Sequence, residues 1–212
     1  MSEFPEGLRV AIVHDWLTGM RGGERVLEEI CRLFPDAELF TLLHIKGNVS
    51  EAIEAREVHT SFIQKLPFAK SRYRHYLPLF PTAIERFDLA DFELVISTSH
   101  CVAKGAITSP YTCHISYIHT PMRYVWEMYQ QYFGDERLGR FARIIIPYVA
   151  NYLRMWDVAS SKRVDYFIAN SKNVSDRIEK HYGRRSKVIY PPANVERFRP
   201  AADEGYYLIV SA

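Results

Sequence analysis

The chain has 212 residues, of which 48% are hydrophobic, and this supplies enough apolar side chains for a substantial core. Its 27 basic residues against 25 acidic ones leave a net charge of +2, which argues against nucleic acid as a partner attracted by bulk positive charge. The three cysteines, Cys31, Cys101 and Cys113, are odd in number and show no paired spacing, which is typical of a reduced, cytoplasmic chain.

Two histidines lie beside cysteines, but their spacing does not predict a metal site. His100 precedes Cys101 and His114 follows Cys113, yet neither a CxxC nor an HxxxH pattern occurs. The N-terminus lacks the basic start and the apolar run of a signal peptide. No apolar stretch approaches the roughly 20 residues that a membrane helix needs. We therefore expect neither a metal nor a membrane span.

Apolar runs alternate with helical patterns along the chain, which predicts an α/β fold with a mainly parallel sheet. The predicted strands are residues 9–14, 38–43, 94–97, 115–118, 166–169 and 187–190, with a shorter one near 58–63. A first helix is predicted over residues 23–33, and a long helical region over 138–161 contains Pro147, which we expect to kink it. The last predicted helix begins after Ser171 as N-cap and ends near Gly183 as C-cap.

Glycines separate the first predicted strand from the first helix, in the stretch HDWLTGMRGGERVLEEI. Because Gly22 and Gly23 carry no Cβ, an anion could approach their backbone, where the helix dipole favours negative charge. The pattern is neither GxGxxG nor a Walker loop, so a simple tight turn is the alternative. Asp15 and Trp16, at the end of the first strand, are expected to line the same cleft.

A histidine follows the strand predicted over 115–118, in the stretch YIHTPMRYVWE. Ligands of open α/β sheets bind outside the carboxyl ends of the strands, so His119 is a candidate to meet a substrate. The alternative is a histidine that caps the next helix. Arg123, in the same loop, is a candidate to contact an acceptor phosphate.

The segment from residue 58 to residue 84 contains no acidic residue, and we name it the acid-free segment. Its basic residues are Lys65, Lys70, Arg72 and Arg74, and aromatic residues including Phe68 and Tyr73 lie among them. Basic and aromatic residues interleaved in this way favour an anionic membrane surface. The alternative is an ordinary solvated helical face whose aromatic side chains pack inward.

Taken together with the stretch VDYFIANSKNVSDRIEKHYGRRSKVIYPPANVERFRP, these motifs resemble the N-terminal domain of a family-four glycosyltransferase of GT-B architecture. The subgroup that the chain most resembles makes bacterial polysaccharide and O-antigen, often with mannose. The resemblance implies a Rossmann-like domain with helices on both faces of a mainly parallel sheet, forming the N-terminal half of the GT-B architecture. It also implies transfer of a hexose from a nucleotide sugar with retention of anomeric configuration.

The resemblance assigns roles to individual residues and partners. The glycine loop of the family touches the donor diphosphate, which matches Gly22 and Gly23, and the family histidine near the transferred sugar matches His119. The implied partners are a nucleotide sugar, with GDP-mannose as the candidate, and a lipid-linked saccharide acceptor at the anionic inner face of the membrane. No cofactor or metal is implied, and the oligomeric state is left open.

The resemblance also predicts how the chain is divided. We expect an acceptor-side domain over residues 1–192, a linker over 193–205, and over 206–212 the first strand of a donor-binding domain that this chain lacks and on which catalysis depends. Two alternatives stay open at this point. One is a sugar-nucleotide epimerase of similar architecture, and the other is a non-catalytic subunit that binds an acceptor or lipid.

Overall fold

A computed structural model of the chain describes residues 7–127 and 140–193, together with residues 5, 195, 199, 205, 207 and 209. Within these residues there are seven strands: β1 Val10–His14, β2 Glu38–Thr41, β3 Val58–Thr60, β4 Leu94–Ser99, β5 Cys113–Ile118, β6 Tyr166–Ala169 and β7 Ser186–Val188. They form one parallel sheet in the order β3-β2-β1-β4-β5-β6-β7. This arrangement confirms the predicted α/β class.

Helices connect the strands. The described α-helices are α1 Gly22–Leu33, α2 Glu51–Glu54, α3 Ala69–Arg72, α4 Phe80–Glu85, α5 Arg123–Trp126, α6 Arg140–Ser161 and α7 Lys172–Tyr182. Short 3₁₀ helices lie at Phe62–Lys65, Tyr73–Leu79 and Ala103–Gly105. None of the described helices combines the length and the hydropathy that crossing a membrane requires.

Both faces of the sheet are covered, because alternate strand residues point to opposite sides. Ile12 belongs to a core cluster that includes Leu27 of α1 and Ile53 of α2. Val13, the next residue of β1, belongs to the cluster on the other face, which includes Leu153 of α6. A Rossmann-like sheet with helices on both faces is therefore the observed architecture.

The ends of several strands differ from the predicted ones. β2 ends at Thr41 rather than residue 43, although hydrogen bonds to the connection after β1 continue past it, since the Leu42 amide donates to the Asp15 carbonyl at 3.1 Å. β3 ends at Thr60 because Ser61 caps the following 3₁₀ helix through its side-chain oxygen. A side-chain cap thus ends β3 earlier than the apolar run alone would predict.

The predicted helix ends are confirmed where the structure describes them. The Ser171 hydroxyl accepts a hydrogen bond from the Val174 amide, and Gly183 ends α7 in the left-handed region with φ +63°. α6 continues through Pro147. Residues 138–139 of the predicted long helix, most of the linker over 193–205 and most of the strand over 206–212 lie outside the described residues.

Candidate functional site

Three adjacent strands deliver polar residues to one edge of the sheet. β1, β4 and β5 are neighbours in the sheet, and Asp15, His100 and His119 each follow directly after one of them. The chain order along the sheet reverses between β1 and β4, so their carboxyl ends flank the crevice where open α/β sheets bind ligands. The sheet topology therefore gathers these three residues at a candidate binding edge.

The N-terminus of α1 lies under His119. Arg21 is the N-cap residue, so Gly22 and Gly23 form the first two positions of the helix rather than a preceding loop. A Cβ built on Gly23 would lie 3.4 Å from His119 Nε2, whereas one built on Gly22 would meet no atom within 4 Å. Gly23 thus gives close approach to the imidazole, and Gly22 leaves open space at the helix terminus.

The imidazole of His119 is held neutral and its Nε2 has no partner in the described part of the chain. Burial, together with the charges of His14 and His100, lowers the pKa of His119 to about 3. Its amide donates to the Ser99 carbonyl at 2.8 Å, and its carbonyl accepts from Asn170 Nδ2 at 3.0 Å. The main chain is therefore fixed, and Nε2 is a buried ring nitrogen without a hydrogen-bond partner among the described residues.

His119 does not occupy a capping position. The helix that follows is α5, whose N-cap is Met122. Arg123, the first residue of α5, is exposed and lies 3.9 Å from the carboxylate of Glu127, which also pairs with Arg177. Its guanidinium is accessible, but it already has a carboxylate neighbour.

Asp15 anchors the loop after β4. Its carboxylate accepts hydrogen bonds from the backbone amides of residues 100, 101, 102 and 103, at 2.7 to 2.9 Å. It also lies 3.0 Å from His100 Nδ1. Burial alone would raise the pKa of Asp15, but its charge interaction and hydrogen bonds with His100 hold that pKa well below the usual range. Asp15 is fully buried, so its role at this edge is to hold the backbone of residues 100–103 in place.

Trp16 is a core residue and is 4% exposed. Its ring lies 5.1 Å from that of Tyr73, 5.9 Å from that of Phe80 and 4.4 Å from that of His100, between ring centres. The predicted cleft residue therefore joins the end of β1 to the acid-free segment. The sequence did not reveal this orientation, because an aromatic residue at a strand end looks the same in the sequence whether it faces the core or the cleft.

The acid-free segment divides its side chains between the core and the surface. Lys65, Lys70, Arg72 and Arg74 are all exposed. Phe68 is 74% exposed and has φ +53°, whereas Tyr73 is buried. The guanidinium of Arg72 lies over the Phe68 ring, 5.8 Å from its centre. The exposed Phe68 therefore fits the alternative of a membrane surface. The buried Tyr73 fits the alternative of a solvated face whose aromatic side chains pack inward.

Sequence reasoning missed several members of this edge. His14 contacts Thr98 through Nδ1, and its Nε2 lies 3.9 Å from the buried carboxylate of Glu24. Glu24 also accepts a hydrogen bond from the Arg21 amide at 3.0 Å. His100 could have been found, since it follows a predicted strand just as His119 does. The His14–Glu24 contact has no signal in residue spacing.

One group in the described part of the chain has the composition of a metal site. Ligand atoms of Glu38, Glu57 and His59 lie within 4.8 Å of one another. Glu38 begins β2, so this group belongs to the amino-terminal side of the sheet and not to the edge that holds His119. A cavity of about 480 Å³ beside Arg9 and Asp36 lies on that side as well.

A family model described as Glycosyltransferase Family 4 matches residues 20–197, which is most of the chain. The match includes Gly22, Gly23, His119 and the acid-free segment. A search of curated proteins finds no match.

Proposed function

Because the chain belongs to glycosyltransferase family 4, we propose that it is the acceptor-side domain of a retaining transferase that moves a hexose from a nucleotide sugar to a lipid-linked or polysaccharide acceptor. The observation that carries this proposal is the neutral imidazole of His119 beside Gly23 at the N-terminus of α1, whose Nε2 has no hydrogen-bond partner among the described residues. GDP-mannose is the candidate donor, and catalysis needs a second, donor-binding domain.

The donor diphosphate is proposed to bind at Gly22 and Gly23. The first amides of a helix have no partner within the helix, and the helix dipole places partial positive charge there. A Cβ built on Gly22 would meet no atom within 4 Å, so this side of the helix terminus has room for a diphosphate to approach the backbone. These dipoles would stabilise the negative charge of the leaving diphosphate without reorganising.

His119 is proposed to contact the transferred sugar. An imidazole that stays neutral at pH 7 can donate or accept a hydrogen bond through its free nitrogen without adding charge to the site. Asp15 and Trp16 are proposed to position this cleft, since Asp15 fixes the loop that carries His100 and Trp16 packs against the His100 ring. Arg123 is proposed to contact an acceptor phosphate.

The acid-free segment is proposed to hold the protein at the anionic, cytoplasmic face of the membrane. Its four exposed basic residues would each contribute on the order of 1 kcal/mol near an anionic bilayer. The exposed ring of Phe68 supplies an apolar side chain that could enter the interface. Peripheral attachment of this kind would bring the site to a lipid-linked acceptor.

The test uses a protein that carries both domains, assayed with nucleotide sugars including GDP-mannose and with a lipid-linked saccharide acceptor. His119→Ala should lower turnover at least about tenfold, which corresponds to roughly 1.4 kcal/mol of transition-state stabilisation. His59→Ala is the matched control, because His59 pairs with Glu38 in β2 and lies outside the candidate edge.

Three results would count against the proposal. Full activity of His119→Ala would remove His119 from the reacting centre. Inversion at the anomeric carbon of the product, measured by NMR, would overturn the retaining mechanism. Turnover by this chain alone, at the rate of the two-domain protein, would show that no donor domain is needed.

A further inference from the structure

A cavity of about 490 Å³ lies beside the glycines of α1. Thr18 and Arg21 line it from the connection after β1, and Ile45 lines it from the connection after β2. The rest of the wall is residues 70–75 of the acid-free segment. The cavity therefore opens at the same carboxyl edge of the sheet as His119.

The wall of this cavity is cationic. Arg21, Lys70, Arg72, Arg74 and His75 line it, and no carboxylate does. In the part of the chain that the structure describes, no carboxylate forms an ion pair with Arg21, Lys70 or Arg72. Like charges gathered in one cavity repel each other, so an anion bound there would relieve the repulsion.

The position of the cavity is fixed by packing. The rings of Trp16 and Tyr73, one after β1 and the other in the acid-free segment, lie 5.1 Å apart between their centres. Arg21 directly precedes Gly22, so the cavity adjoins the proposed donor diphosphate site without including either glycine. The two regions are neighbours with separate walls.

We propose that this cavity binds a phosphate or diphosphate group of the acceptor, at a site distinct from the donor diphosphate site. Three arginines in the wall suit phosphate, because a guanidinium can donate two parallel hydrogen bonds to its oxygens. The hydroxyl of Thr18 is a further donor in the wall. This assignment rests on the proposed function and names the chemical group that the acceptor must carry.

Binding is tested on the chain with inorganic pyrophosphate as the probe, by calorimetry at low ionic strength. Saturable binding is expected, and Arg21→Gln and Arg72→Gln should each weaken it at least about tenfold. Lys65→Gln is the matched control, since Lys65 is an exposed cation of the same segment that does not line the cavity. No binding, or equal weakening in all three variants, would overturn the site.

The donor site is separated by a second control. Gly23→Ala crowds the helix terminus and His119 without touching the cavity wall, so pyrophosphate binding should survive it. Binding that Gly23→Ala abolishes and Arg72→Gln spares would place the probe at the donor site and overturn the proposal. Binding to phosphatidylglycerol vesicles without any binding of pyrophosphate would show a membrane surface instead of a cavity site.

Kinetics on the two-domain protein show whether the phosphate in the cavity belongs to the acceptor or to the nucleotide sugar. If the acceptor is the ligand, Arg72→Gln should raise the KM for the lipid-linked acceptor at least about tenfold, with the KM for the nucleotide sugar unchanged. Lys65→Gln removes a cation from the same segment but not from the cavity, so an equal rise in that variant would indicate membrane attachment and overturn the site. A change in the nucleotide-sugar KM, or in neither KM, would overturn the assignment to the acceptor. Calorimetry needs no turnover, so it tests pyrophosphate binding in the cavity whether or not the protein is a transferase. Loss of the cavity site and absence of transferase activity therefore give different results.

Discussion

His119 Nε2 lies 3.4 Å from the point where a Cβ of Gly23 would be, so a helix N-terminus and an imidazole share one face of the candidate site. The two residues come from α1 and from the loop after β5, and sheet order brings them together through β1 and β4. Any side chain at position 23 would therefore contact His119 as well as the space proposed for the donor diphosphate.

Gly23→Ala is expected to shift the NMR signals of the His119 ring and to lower the transfer rate, because the added methyl occupies the space in front of Nε2. The contact is at van der Waals distance, so the fold should be retained. Gly22→Ala is the control, since its Cβ would meet nothing within 4 Å, and it should leave the His119 signals in place. Unchanged His119 signals in Gly23→Ala would contradict the contact.

Acid should destabilise the protein through His119. Its native pKa of about 3 lies below the unfolded value of about 6.5, so the unfolded chain binds the proton first as the pH falls. The stability that depends on the neutral ring is present above about pH 6.5 and is lost progressively down to about pH 3. Between pH 7 and pH 5 the free energy of unfolding should fall by about 2 kcal/mol on account of His119.

Urea unfolding of His119→Gln at both pH values isolates this contribution. The variant should lose about 2 kcal/mol less than the wild-type chain over the same interval. His114, whose pKa is lowered to about 4 by burial, is present in both proteins and cancels in the comparison. Parallel pH dependences would mean that His119 titrates normally in the fold.

A buried ion pair is expected to hold α6 to the loop after β4. Lys104 Nζ lies 2.9 Å from Asp157 Oδ1, and both side chains are buried. Trp126 Nε1 and the Tyr182 hydroxyl donate to Asp157 Oδ2 at 2.8 and 3.0 Å. Asp157→Ala should lower the free energy of unfolding by about 3–5 kcal/mol, because it leaves the lysine buried without its partner.

Denaturant unfolding measures this loss, and a double variant provides its control. Lys104→Met with Asp157→Leu removes both charges and should recover part of the stability that Asp157→Ala loses. Both variants lack the acceptor for Trp126 and Tyr182, so their difference reports on the lysine charge alone, and a double variant less stable than Asp157→Ala would contradict the prediction.

Membrane attachment predicts salt-sensitive vesicle binding. The chain should float with phosphatidylglycerol vesicles at low salt and dissociate at high salt, because ions screen exposed charges. Replacing Lys65, Lys70, Arg72 and Arg74 with Gln should abolish flotation. The matched control replaces four other exposed lysines, Lys162, Lys172, Lys180 and Lys187. Equal loss in both quadruple variants would point to net charge and not to the segment.

Structural features that depend on neighbouring residues could be predicted from the sequence, whereas contacts between residues far apart in the chain could not. Apolar runs located the strands, and Ser171 and Gly183 located the ends of α7, because each effect involves neighbours along the chain. The Lys104–Asp157 pair joins residues 53 positions apart and follows no periodicity. The inward orientation of Trp16 depends on Tyr73 and Phe80, which no pattern near position 16 reveals.

At position 68, the side chain that favours surface attachment lowers the stability of the fold. Its φ of +53° lies in a region that costs a residue with a Cβ roughly 1–2 kcal/mol, and the residue is 74% exposed, so core packing does little to offset that cost. A glycine would fit the same backbone with less strain. Phe68→Gly is thus expected to raise the melting temperature while it weakens vesicle binding, so selection for a more stable protein at this position would act against the proposed membrane attachment.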